Sequence, residues 1–518
     1  MSARKPSNHT TTRTKTLAAK TPKADRRQFL IAAVIASAGI IAQEATADTR
    51  DGVELKPNPK HQLFRVRVEL DVKGNVDIAS NPLVSRKISA KLPITSNATF
   101  DYEERFRFAD DQGSKYSAGD YVTCAERYYH KASVESSLNK TTFKSELRES
   151  VRQAIVRRET MPEVIYSVDD YFTRDELDLL RLPASSVGLD SLLPSEKVTI
   201  GSKYRPDRES LASVLNLTSA DVSDIEAEVV SLDESEAKIQ FKGQIDGSVD
   251  GVPTVVRAVG KLTFDRQLGT CTWLAMALHE TRDIGIAEPG FDVAATIRLL
   301  RKPTTMSMGL SQDLEDVDVM GDIPADRMFV DLQSDYIGFA TLMNRQWRMM
   351  TDVPGAAMMR MTRDDRSVAQ CDFRPLPSLE AGKQWTLEAF AEDVKRTLGD
   401  QLVEIVEAEE RVSATDLRVL RVSATGSVEG VPIQWVLMHF SDDAGRRMLA
   451  TFTLEEENMK RFAGSDLQLA DSMRLIERSA KAAKEVADDE SQPKSTRIAD
   501  AISNDSPGNE VQSASDLK

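Results

Sequence analysis

Gly247-Ser-Val-Asp-Gly-Val-Pro253 and Gly426-Ser-Val-Glu-Gly-Val-Pro432 agree at six of seven positions in a chain of 518 residues. Each septapeptide follows an alternating strand pattern, Ala237–Ile245 or Leu417–Ala424. Each precedes another, Thr254–Phe264 or Ile433–Phe440. Both second strands end in an Asp-containing turn closed by Gly269 or Gly445, and a third strand follows, Thr272–Leu278 or Met448–Leu454. Each copy closes on an apolar pattern, Val293–Leu300 or Leu469–Ile476. A phosphate-cradling loop would need Lys-Ser/Thr next and then a helix, and neither follows. The septapeptide is therefore a hairpin connection, with glycine supplying positive φ and proline entering the strand start. The repeat predicts two units, each built on an antiparallel sheet.

Working outward, Phe64, Val66, Val68, Leu70 and Val72 alternate with charged residues, a period of two that marks a half-wet strand. Phe143, Leu147, Val151 and Ile155 step by four and predict a helix. Thr173-Arg174-Asp175-Glu176 is a capping box opening a second helix that stops before Pro183. Gln312–Asp326 carries six acids and no base, which predicts a linker. A helix follows Thr386, with Leu387, Phe390, Ala391, Val394 and Leu398 on one face and Gly399 at its end. The expected division is an export segment 1–47, a spacer 48–60, a larger N-terminal domain 61–303, an acidic linker 304–334, a C-terminal domain 335–478 and a solvated, disordered tail 479–518. The expected fold class is α+β: two domains of antiparallel sheet with packed helices.

The C-terminal unit resembles the PsbP-like αβα sandwich family over some 140 residues. The likeness rests on the Trp385-Thr-Leu-Glu helix start, Gly430-Val-Pro-Ile-Gln-Trp435, Ala444-Gly445-Arg446-Arg447 and a final Leu-rich helix. These are packing and turn motifs. The resemblance implies a non-enzymatic accessory or binding role and transfers no site residue.

Composition narrows the class further. Apolar residues make up 41%, enough to bury a core, while 29% charged residues exclude a polytopic helical membrane protein. The first 27 residues hold eight bases and one acid; an uncharged run, Phe29–Ala42, and the small-residue triplet Ala45-Thr-Ala47 follow. That order reads as an export signal. Arg26-Arg27-Gln-Phe29-Leu30 resembles the core of a twin-arginine (Tat) signal, with Asp25 and Ile31 departing from the usual flanks. The resemblance implies export to the periplasm or cell envelope, with only transient membrane contact. Residues 1–47 carry eight bases and two acids, so the remaining chain has 59 bases against 80 acids, a net charge of −21. Such a chain repels phosphate backbones, which excludes nucleic acid as a partner.

Chemistry-bearing motifs are sparse. His61, His130, His279 and His439 show no metal-ligand spacing, no G-x-S-x-G elbow is present, and no cofactor is implied. Cys124, Cys271 and Cys371 lie about a hundred residues apart and read as buried thiols. Trp273 and Trp435 read as sheet-packing residues. Lys144, Arg148 and Arg152, spaced by four, are the candidate anion contact. The leading reading is an exported non-catalytic binding or accessory protein for a protein or small apolar ligand. The alternative is an exported hydrolase with a carboxylate/His site around His279, which a sheet-edge position would leave structural.

Overall fold

In this computed structural model the described residues are 52–58, 63–78, 90–107, 124–158, 163–310, 319, 321–380 and 383–478. The export-signal residues Arg26, Arg27, Phe29, Leu30, Ala45 and Ala47, and the tail from 479, lie outside them, as does most of the acidic stretch 311–320.

The alternating patterns build one large antiparallel sheet. Strands β1 (Leu63–Ile78), β2 (Ala90–Arg107) and β3 (Cys124–Leu138) are long neighbours; β4 (Thr141–Glu146) and β5 (Gln153–Arg157) pair with β3, and β6 (Val164–Ser167) with β5. Helix α1 (Arg174–Leu180), β7 (Lys203–Tyr204), helix α2 (Arg208–Leu215), β8 (Ser219–Ser223) and β9 (Glu226–Leu232) lead into a meander. Its strands are β10 (Glu236–Val249), β11 (Val252–Asp265), β12 (Thr270–Arg282) and β13 (Gly290–Pro303). The sheet order is β6-β5-β3-β2-β1-β13-β12-β11-β10-β9-β7. β14 (Phe329–Ser334) and β15 (Phe339–Asn344) form a small sheet with β23 (Arg474–Leu475). The last sheet holds β16 (Trp347–Val353), β17 (Ala356–Arg363), β18 (Arg366–Leu376), β19 (Leu402–Val412), β20 (Arg418–Val428), β21 (Val431–Ser441) and β22 (Arg447–Glu455), in the order β16-β17-β18-β22-β21-β20-β19. Helix α3 (Leu387–Leu398) precedes β19; α4 (Met459–Phe462) and α5 (Ser465–Ser472) precede β23.

The repeat is a three-dimensional one. β12-β11-β10-β9 and β22-β21-β20-β19 run in the same order, each set preceded in the chain by a helix, α2 or α3, and flanked in its sheet by β13 or β18. Asp250-Gly251 and Glu429-Gly430 both take positive φ at the two turn positions, the geometry of a tight primed hairpin. Gly247 and Gly426 serve a different need: a Cβ there would meet Ser219 O at 2.1 Å or Gln401 O at 2.0 Å. The copies diverge after the third strand. Val293–Leu300 is strand β13, whereas Leu469–Ile476 spans α5 and β23, and β18 from earlier in the chain fills the equivalent sheet position.

The α+β expectation is corrected. Among the described residues 57% are in strands and 15% in helices, so the protein is mostly antiparallel β rather than sheets with packed helices. The clearest miss is the helix expected from Phe143 to Ile155, which is β4, a short turn and β5. An even spacing of four also keeps one face of a strand, and all five residues of β5 are buried, so periodicity could not separate the two. Thr141, Thr142, Ile155 and Val156 favour extended backbone there. By contrast α1 and α3 begin where their caps placed them: Thr173 and Glu176 make both capping-box bonds, and Thr386 caps α3.

One apolar cluster runs from Phe64 and Phe100 in the first sheet to Phe373 and Phe452 in the last. The first sheet also covers a buried charged layer. Glu104 accepts from Arg127 Nε at 2.9 Å and from the Ser186 hydroxyl at 2.6 Å. Asp190 accepts from the Thr270 hydroxyl at 2.7 Å and Cys271 N at 2.6 Å. Arg301, fully buried, stands 3.7 Å from Glu104 and 3.6 Å from Asp190, with its guanidinium over the Phe106 ring. Cys124, Cys271 and Cys371 are all buried and none forms a disulfide.

The start of the expected linker is fixed to this sheet. Glu103 accepts from the Ser307 hydroxyl, from Met308 N at 3.0 Å and from Gly309 N at 3.2 Å, while His130 Nε2 lies 2.9 Å away. Burial pushes the Glu103 carboxyl up, but these hydrogen bonds outweigh it and hold it at about 2. A carboxyl lowered on folding stabilises above its ordinary pKa and ceases to as the pH falls through the folded value. The 304–310 segment is therefore expected to loosen between about pH 4.5 and 2. Hydrogen exchange at Met308 and Gly309 should rise over that interval, and Glu103→Gln should raise it at pH 7. Protection unchanged by Glu103→Gln at neutral pH would show that the carboxylate does not hold the segment.

Candidate functional site

The strongest concentration of unusual groups lies where six local structures meet. Helix α1 supplies Arg174 at its first turn and Arg181 at its C-terminal end. The β10–β11 hairpin supplies Asp250, and the β12–β13 loop supplies Glu288. The β15–β16 turn, shaped by Asn344 accepting from Gln346 N, supplies Arg345, and β16 supplies Arg348. The β17–β18 turn closes one side, where a Cβ on Gly251 would meet the Asp364 carbonyl carbon at 2.4 Å. Together they line a cavity of about 630 Å³, within the range of small-molecule sites. The second hairpin contributes nothing comparable: a Cβ on Gly430 would meet only open space.

Its geometry is ionic. Asp250 Oδ2 lies 2.8 Å from Arg348 Nη2 and 3.1 Å from Arg181 Nη1. Glu288 pairs with Arg348 and stands 4.0 Å from Arg174 Nη2. Burial pushes the Asp250 carboxyl up, but Arg181 and Arg348 prevail and keep it below the usual range. Arg174 donates to the backbone carbonyl of Arg345 at 3.3 Å. Arg345 itself donates to the carbonyls of Ile165 at 2.8 Å and Arg327 at 3.1 Å. Burial, then the neighbouring Arg181 and Arg174, push its guanidinium down to about 10.

The residues singled out from sequence sit elsewhere. Lys144 is exposed on β4, 3.2 Å from Glu146, and lines a second, polar cavity of about 540 Å³. Arg148 grips Glu176 through Nε and Nη2, both at 2.9 Å, and so anchors the capping box of α1. Arg152 lies half-buried between the turn and β5. Without a helix these three share no helical face. His279 is on an interior strand, not a sheet edge: β12 pairs with β11 and β13, and its Nε2 meets Asp292 at 2.9 Å. Glu280 beside it is paired with Arg282 at 2.6 Å. Among the described residues no group of three or more His, Cys, Asp or Glu could hold a metal ion. His439 is a packing residue, buried and stacked on Trp385 at 5.2 Å. Burial, then Arg447 and Arg418, push its imidazole down to about 4.

The arginines of the cavity were missed, although Arg174 stands in the quoted capping box and Asp250 in the quoted hairpin. Nothing in a sequence brings positions 174, 250 and 345 together.

No family model matches the chain, and no curated protein matches it. Among solved structures, a Bacteroides thetaiotaomicron protein is similar over 28% of this chain and 48% of that one, at 11% identity and a TM-score of 0.21. The chain thus spans about half the length of that protein. Cyanobacterial PsbP from Synechocystis (CyanoP) is similar over 30% of this chain and 96% of that one, at 13% identity and a TM-score of 0.23. The translocator domain of the autotransporter NalP from Neisseria meningitidis is similar over 83% and 94%, at 6% identity and a TM-score of 0.11. The PsbP-like resemblance is weak, and the site stands on its own residues.

Proposed function

We propose that the chain is an exported, non-catalytic binding protein of the cell envelope that takes a small polar ligand in the cavity between α1, the first glycine hairpin and the β15–β16 turn. The observation that carries this reading is the cavity of about 630 Å³ lined by Arg174, Arg181, Arg345 and Arg348. Export is supported by the basic, then apolar, then small-residue order of 1–47. The ionic lining argues for a polar ligand over the apolar one expected from sequence, since a charged wall gives hydrocarbon nothing to exchange for lost hydration.

The test is native mass spectrometry of the chain recovered from its own cell envelope. A bound molecule that leaves on unfolding, with none retained when Asp250→Lys and Arg348→Glu are introduced together, is the expected result. A ligand-free protein that turns over ester or glycoside substrates, and loses that turnover with His279→Ala, would replace this reading with the hydrolase.

A further inference from the structure

The carboxylates lining this cavity leave part of its guanidinium donor capacity unmet. Asp250 serves both Arg181 and Arg348, and Glu288 is engaged by Arg348 as well. Arg174 has Asp178 at 3.2 Å, yet its Nη2 is buried and makes no hydrogen bond. Arg345 has no carboxylate partner among the described residues: two carbonyls accept from it, and its buried Nε has no acceptor. A guanidinium carries five N–H groups, so most of this donor capacity is unmet. The other lining acids are engaged elsewhere or exposed: Glu163 stands 3.8 Å from Arg127 and accepts from the Ser185 hydroxyl. Asp365 accepts from Ile286 N at 2.6 Å, and the side chain of Asp364 is 84% exposed.

The half-buried guanidinium groups of Arg174 and Arg345 line the same cavity and repel each other, and low-dielectric surroundings strengthen that repulsion. An anion between them reverses its sign. The planar fork of arginine matches the paired oxygens of a carboxylate or phosphoryl group, which lysine does not. Resting on the binding reading above, we infer that the cavity recognises its ligand by an oxyanion group, carboxylate or phosphoryl, paired with the Arg345 guanidinium and supported by Arg174. The net charge of −15 disfavours non-specific gathering of anions over the rest of the chain.

The experiment is titration of the purified chain with pyrophosphate and with citrate, followed by calorimetry and by thermal shift, against sodium chloride at equal ionic strength. At least one of the two should bind, and Arg345→Gln should weaken it tenfold or more. Arg345→Lys, which keeps the charge and loses the fork, should fall between, which separates pairing from mere field. Lys395→Gln, exposed on α3 beside Glu392, should change nothing. Melting of each variant without ligand shows that it folds. Failure of both probes to exceed the chloride control overturns the inference, as does binding that survives both Arg345→Gln and Arg174→Gln. A neutral molecule recovered from the native protein would overturn the oxyanion assignment and leave the binding reading standing.

Discussion

Replacing Arg301 by Leu is expected to lower the unfolding free energy by about 3–5 kcal/mol. The side chain is fully buried and answers two buried acids, Glu104 through Nη2 and Asp190 through Nη1. It also donates to the Thr270 hydroxyl at 2.8 Å and to the Cys271 carbonyl at 3.0 Å. Leucine fills most of the volume but leaves Asp190 without a cation and the Cys271 carbonyl with one donor fewer. An uncompensated buried charge costs more than the intact pair contributes, so the loss measures the orphaned partners rather than the bond. Two further variants make that argument testable. Asp190→Leu combined with Arg301→Leu should recover part of the loss, because both charges leave together. Arg301→Lys should fall between, since one ammonium nitrogen cannot take the place of both Nη1, which serves Thr270 and Cys271, and Nη2, which donates to the Ser186 carbonyl. Denaturant midpoints for the four proteins decide it. A loss under about 1 kcal/mol for Arg301→Leu would mean that water reaches the layer and that the sheet does not seal it.

The same buried layer shows where sequence reading stops. The strand containing Glu103 and Glu104 alternates as a half-wet strand should, and adjacent acids in an acidic chain carry no signal. In the folded protein one acid fixes the 304–310 segment and the other meets Arg127, on the neighbouring strand, and Arg301. Those partners are set by register, Glu104 opposite Arg127 across β2 and β3, which no single segment encodes. Local chemistry was legible wherever a backbone rule is strict. The Asp-Gly and Glu-Gly turns require positive φ, and the Thr caps of α1 and α3 require a side-chain acceptor, so both could be placed by residue. The 143–155 stretch failed because a spacing of four suits either element, and only burial on both faces of β5 decides between them. The arginine cavity was illegible for the reason the buried layer was: it is made of contacts among α1, one hairpin and one turn, each unremarkable alone.

Trp435→Ala is expected to cost about 3–5 kcal/mol, and Trp273→Ala less than about 1 kcal/mol. Both indoles read alike in the sequence, each in an alternating strand of a repeat copy. The structure separates them. Trp435 on β21 is 1% exposed and packs in the cluster that joins α3 to its sheet through Phe390, Val394 and Leu398. A Cβ on Gly426 would meet its ring at 2.7 Å, so the glycine of the second septapeptide is what lets the indole lie flat there. Trp273 is 36% exposed and stands opposite Leu300, itself 40% exposed, across β12 and β13. It keeps much of its hydration in the folded state, and its loss opens no cavity. Removing Trp435 leaves a hole bounded by a sheet on one side and a helix on the other. The helix is the softer wall, because α3 holds to the sheet mainly by this cluster. The expected signature is therefore local as well as global: amide exchange along α3 should rise in Trp435→Ala before the sheets loosen, and stay unchanged in Trp273→Ala. Equal costs for the two substitutions, or an α3 whose exchange is indifferent to Trp435, would show that the helix is held by something other than this indole.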